Sequence, residues 1–161
     1  MDATTQFTLT EAHQHFAKEL NGETWKLLDK PDRSREDSER MLAAAFASYY
    51  HWLPAGDPVH GQRGEYLIAR VYLALDNLPE ALSHARRCLE LTGECKSQMR
   101  DFDIAFAFEM FARTNAAVGK LDIAREYREK ARLAADLISD AEDLDIFLAD
   151  FNGGNWYGLP G

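Results

Sequence analysis

Cysteine is scarce in this chain: Cys88 and Cys95 are the only two among 161 residues. A pair of thiols builds no disulfide framework, so the expected home is a reducing compartment, the cytoplasm. Long apolar runs are missing too; the longest reach about half of the ~20 residues that a bilayer-spanning helix needs, and no membrane partner is expected. The stretch from Met1 to Ala12 has neither a basic leader nor an apolar centre, so a signal peptide is not expected either. Positive charge is the third shortage. Lys and Arg number 18 against 27 Asp and Glu, a net charge of −9, and the longest basic run is Arg86-Arg87. Such a surface repels phosphate backbones and argues against nucleic acid as a partner. Sustained two-residue alternation is absent, which argues against strands.

What the chain does contain is helical spacing. Thr8 and Glu11 have the separation of a capping box, and Leu9, Ala12, Phe16, Leu20, Leu27 and Leu28 follow it at helical intervals up to the stop at Pro31. Asn21-Gly22 is read as lying inside that one helix. A charged start at Ser34–Ser38 leads into Met41–Leu53, apolar nearly all round, as befits a helix covered on more than one side. Pro54, Gly56, Pro58 and Gly61 read as a breaker cluster. Beyond it, Glu65–Leu75 and Leu78–Leu91 form one helix pair, with Pro79 in the first turn of the second member. Thr92–Arg100 reads as a polar loop. Phe102–Val118 and Leu121–Ser139 form the next pair, with Gly119 at the turn. A short helix over about 142–151 and a glycine-rich tail at 152–161 finish the chain. A tail bearing Trp156, Tyr157 and Leu159 is expected to pack on the last helix pair or to enter a neighbouring subunit.

The two later pairs repeat each other at a distance of 43 residues: Ala69 matches Ala112, Arg70 matches Arg113, Leu78 matches Leu121 and Ala81 matches Ala124. The same step aligns Ala45, Cys88 and Ala131, all small enough for a tight helix crossing. Periods of this size mark stacked helical hairpins, each unable to bury its apolar face alone. Ile68, Ala69, Tyr72 and Ala81 in one hairpin, and Phe108, Phe111, Ala112, Gly119, Ala124 and Ala131 in the next, resemble the tetratricopeptide-repeat pattern. The likeness covers residues 63–139, with a weaker echo over 9–53. It departs from that family in its longer period, in Asn115 where an aromatic is usual, and in Asp76 where a glycine is usual. The expected architecture is all-α and a single domain, 1–161. About seven helices form antiparallel hairpins at about 9–53, 63–92 and 101–139, plus a C-terminal capping helix, in a tetratricopeptide-like superhelix.

The resemblance implies a non-enzymatic protein- or peptide-binding module. In such arrays the first helix of each hairpin lines a groove, which assigns Arg63, Tyr66 and Arg70, with Leu73 and Ala74, from one hairpin. Phe106, Glu109 and Arg113, with Ala116 and Ala117, come from the next. Arg70 and Arg113 would hold an acidic side chain or a peptide C-terminus, since a guanidinium fork binds carboxylates through two parallel hydrogen bonds. The plainer alternative is internal: Glu109 and Arg113 are four apart and would pair, and Arg70 would lie along Tyr66. A different class of function, a small-molecule-binding or hydrolytic enzyme, would draw on His51, Trp52 and His60, although no Ser or Cys nucleophile sits beside His51. A structural homo-oligomer is the third alternative. No metal or other cofactor is expected. The stripes Glu11-His15-Glu19 and Glu80-His84-Cys88 supply too few ligands for a closed site, and the acidic residues from Asp136 to Asp150 lack the calcium-loop spacing.

Overall fold

Three helices begin on a side chain that folds back onto its own backbone. Thr8 with Glu11, Ser34 with Asp37 and Asp57 with His60 each exchange reciprocal hydrogen bonds at a helix start, satisfying donors that the first turn leaves open. In the computed structural model, which describes residues 6–160, these starts open α1 (Leu9–Asp29), α2 (Arg35–Ala55) and α3 (Pro58–Ala74). Next come α4 (Leu78–Glu94), α5 (Asp101–Ala117), α6 (Leu121–Ala135) and α7 (Ala141–Asn152), with a 3₁₀ turn at Lys96–Gln98. The described residues are all helix and turn, with seven α-helices and no strand. Met1–Thr5 and Gly161, the extremities of the expected domain, lie outside the described residues.

Consecutive helices pair as hairpins, α1 with α2, α3 with α4 and α5 with α6; neighbouring hairpins meet through α2–α3 and α4–α5, and α7 lies on α5 and α6. Helices α2, α4 and α6 start at Arg35, Leu78 and Leu121, at equal intervals of 43 residues. Ala45, Cys88 and Ala131 are each at most 1% exposed, so the aligned small residues all lie in the core. The turns match as well. Asp76 and Gly119 both take left-handed backbone, φ 57° and 80°, and the amides one residue on close the preceding helix on Tyr72 and Asn115 carbonyls. Asp tolerates that conformation better than most residues with a Cβ, so it can stand at the turn where the next hairpin has Gly119.

Four boundaries differ from the sequence reading. Pro54 lies inside the last turn of α2, and Pro58 and Gly61 belong to α3: Asp57 caps that helix, and Pro58 occupies a first-turn position where no N–H is required. The second hairpin therefore starts at Pro58 instead of residue 63, and α4 continues to Glu94. Helix α6 ends at Ala135, and Asp136–Ser139 turn the chain towards α7.

The core has two centres. Leu27, Met41, Leu67, Ile68 and Val71 join α1, α2 and α3, while Phe106, Ala131, Phe147 and Phe151 join α5, α6 and α7. Phe147 is fully buried, worth about 2–3 kcal/mol on area grounds, so α7 is tied firmly to the α5 face. The tail completes that end, with Leu159 buried against Ala116 and Ala124 of the last hairpin.

Candidate functional site

Of the side chains expected on the groove, Arg63, Tyr66 and Phe106 line one cleft beside α7 and Arg70 and Arg113 line a neighbouring one, whereas Glu109 is fully buried and lines neither. A cleft of about 440 Å³ opens between α1, α3, α5 and α7. Asn21 and Trp25 wall it from α1, Arg63 and Tyr66 from α3, Phe102 and Phe106 from α5, and Ile146 and Asp150 from α7. Arg100, just before α5, closes one end. Its aromatic walls are mutually braced: Tyr66 meets Phe106 edge-on, and Phe102 does the same. A second cleft, of about 260 Å³, lies beyond Asp150 and is lined by Arg70, Leu73, Ala74, Arg113 and tail residues. Asp150 borders both spaces, so the Arg70–Asp150 pair forms the partition.

Each groove arginine has an internal partner. Arg63 grips the buried Asp103 carboxylate with Nε and Nη2 at 2.7 and 3.1 Å. Arg70 donates to the Tyr66 hydroxyl and, with both terminal nitrogens, to the Asp150 carboxylate at 3.0 and 3.2 Å. Arg113 pairs with Glu109 through Nε and donates to the carbonyls of Asp150, Gly153 and Asn155. Its guanidinium also lies 4.1 Å from the Trp156 ring centroid. Arg100 reaches Asp143 on α7. Ala116 lies under the tail. The expected internal pairing of Arg113 with Glu109 and of Arg70 with Tyr66 is thus present, and both arginines extend it to α7.

Electrostatics follow from burial. Glu109 is fully buried and its Oε2 has no hydrogen-bond partner; burial raises its pKa against the lowering pull of Arg113. Burial likewise pushes the Tyr66 hydroxyl above its ordinary range. Burial would lower the Arg70 pKa, but Tyr66, Asp150 and Glu109 outweigh it and hold the guanidinium charged. The face therefore carries permanent cations set among carboxylates and aromatic rings.

The three residues of the alternative pocket are divided. His51 turns to α1, where its Nδ1 is 2.8 Å from that of His13 and its ring lies near Phe16. His60 stacks on Trp52 at 3.9 Å and exchanges hydrogen bonds with Asp57 at the start of α3. Trp52 and His60 share a cleft of about 220 Å³ with Lys18, Ser48 and Arg63, and His51 does not line it. His84, on the second stripe considered, pairs with Glu65 of α3. Among the described residues no group of three His, Cys, Asp or Glu side chains is placed to hold a metal ion. No described helix is long and apolar enough to cross a membrane.

Sequence reasoning missed Trp25, Arg100 and Asp150. Asp150 looked like one more member of a solvated acidic run, and only the return of α7 onto α5 brings it to Arg70. Trp156 was expected, with the tail, to pack on the last helix pair or to enter a neighbouring subunit, and it lies against Arg113 of α5 and Arg128 of α6. No protein-family model matches the chain, and neither a curated protein nor a solved structure matches it.

Proposed function

We propose that this protein is a non-enzymatic binding module, tetratricopeptide-like in its hairpins, that captures an acidic protein or peptide segment on the face made by α1, α3 and α5. One observation carries the reading. An acidic helix, α7, already lies on that face, held by Arg100 on Asp143, Arg70 on Asp150 and Arg113 on the carbonyls at its end. The face thus displays, within one molecule, the chemistry by which it would take a partner: guanidinium forks for carboxylates and helix-end carbonyls, with aromatic walls for apolar side chains. The cleft beside α7 is lined by Trp25, Tyr66 and Phe106, with Arg63 and Arg100 also on its wall. The equal spacing of α2, α4 and α6 and the matched left-handed turns support the repeat reading behind this assignment.

The test is a displayed random-peptide library panned on the full chain. Acidic sequences should be enriched, and they should bind the wild type and lose binding to Asn21→Trp, which places a large ring in the cleft from an exposed helix position. No enrichment, or enriched peptides that bind Asn21→Trp equally, would overturn the reading.

A further inference from the structure

A further cavity, of about 500 Å³, lies on the other side of α5, between α4, α5 and α6. It shares no lining residue with the groove. Leu89, Ile104, Phe108, Leu133, Ala134 and Leu137 make it chiefly apolar. Its size falls within the roughly 300–1,000 Å³ of small-molecule sites.

The chain contains its own control for this cavity, because α2, α3 and α4 form the same three-helix junction 43 residues earlier. There, Tyr49 and Tyr50 stand where the cavity has Thr92 and Gly93. The Tyr49 ring is packed against the first core cluster and lies so close to Gly64 that a Cβ there would meet it at 2.5 Å. On the third helix of that junction, Arg87, Glu90 and Glu94 form an ion-paired polar rim. Their counterparts at the cavity are Lys130, Leu133 and Leu137. Two ring-bearing positions have become small, and two carboxylates have become leucines that are 51% and 66% exposed. Equivalent packing therefore closes one junction and leaves the other open, with an apolar floor and an apolar lip.

Charge at the mouth selects the occupant. Lys96 and Lys130 both line the cavity in a chain of net charge −9. Lys96 makes no ion pair among the described residues, and Lys130 pairs with the exposed Glu126 on its own helix. Asp101 is the one acid among the lining residues; it sits in the first turn of α5, where the helix dipole favours it. We infer that this cavity is a binding site for a free single-chain carboxylate of the fatty-acid class, its alkyl chain between Leu89, Phe108 and Leu133 and its head group at Lys96 and Lys130.

Calorimetric titration of the full chain with sodium dodecanoate, below the concentration at which it forms micelles, tests this. One equivalent should bind, and dodecyltrimethylammonium, with the same chain and opposite charge, should bind at least about tenfold more weakly, the ratio set by like-charge juxtaposition at the two lysines. Gly93→Tyr places a ring on the cavity wall at a position where a side chain has open space, and should abolish uptake. Lys96→Glu/Lys130→Glu, both at the surface, should weaken it roughly fivefold or more. Equal binding of the two surfactants, or uptake unchanged in Gly93→Tyr, would overturn the assignment. So would binding to phosphatidylglycerol vesicles in place of free dodecanoate. A dimer that Gly93→Tyr dissociates, with no dodecanoate uptake, would instead make the lip a surface for a second copy and would equally overturn it.

Discussion

The guanidinium of Arg113 lies over the indole of Trp156, 4.1 Å from its centroid, while its nitrogens hold three carbonyls of the chain that leads to that ring. Arg128 approaches the same indole from α6 at 4.4 Å, and Trp156 Nε1 donates to the Phe151 carbonyl. A glycine-rich tail is thus fastened by one aromatic and the cations around it.

Trp156→Ala should therefore cost about 2–3 kcal/mol, below the value for a fully buried ring because this one is only partly covered. Thermal unfolding should show a Tm lower by roughly 4–10 °C. A change within about 1 °C would mean that the tail contributes nothing to stability.

Gly154 and Gly158 separate backbone strain from collision. Both have positive φ, 69° and 77°, but a Cβ on Gly154 would lie 2.8 Å from Arg113 Nη1, whereas one on Gly158 meets open space. Gly158→Ala should cost about 1 kcal/mol from conformation alone. Gly154→Ala should cost about 1–2 kcal/mol more, since it also displaces the guanidinium. Equal losses in chemical denaturation would show that Arg113 moves aside freely.

The Arg70–Asp150 pair joins α3 to α7 with both partners about two-thirds covered. A double-mutant cycle on Arg70 and Asp150, read by denaturant unfolding, should return a coupling of about 1–2 kcal/mol after allowance for solvent screening. The same cycle on Arg35 and Glu39, 92% and 63% exposed, should return less than about 0.5 kcal/mol. Similar values for the two cycles would remove the partition from the list of fold-defining contacts.

Glu109 has a folded pKa above its unfolded one, because burial outweighs its attraction to Arg113. When both states are protonated, well below the ordinary glutamate pKa of about 4.3, this group costs nothing. As pH rises past that value the unfolded chain ionises first, so the folded state loses stability until its own carboxyl ionises. The stability of Glu109→Gln relative to wild type should therefore improve as pH rises from about 4 to 8, measured by urea unfolding. A difference that is flat or worsens with pH would show that Arg113 dominates the site.

Periodicity at the level of residues was enough to specify seven helices, their pairing and the small residues in their core. Ala45, Cys88 and Ala131 are legible because a close helix approach excludes large side chains whatever the rest of the fold does. The internal pairing of Glu109 with Arg113 was legible for the same reason, being four residues apart on one helix. Local cues also misled where two readings compete: Pro58 and Gly61 look like breakers until Asp57 and His60 cap the helix that contains them.

The meeting of Arg70 with Asp150, 80 residues away, was decided by tertiary structure alone. So were the turn of Arg113 towards the tail carbonyls, the separation of His51 from the Trp52–His60 stack, and the opening of the cavity behind α5. Spacing along a chain determines which residues share a helix face, because helical geometry repeats every 3.6 residues. Which face another helix then covers depends on the long-range packing of Phe147, Phe151 and Leu159, and that is settled only when the whole core closes.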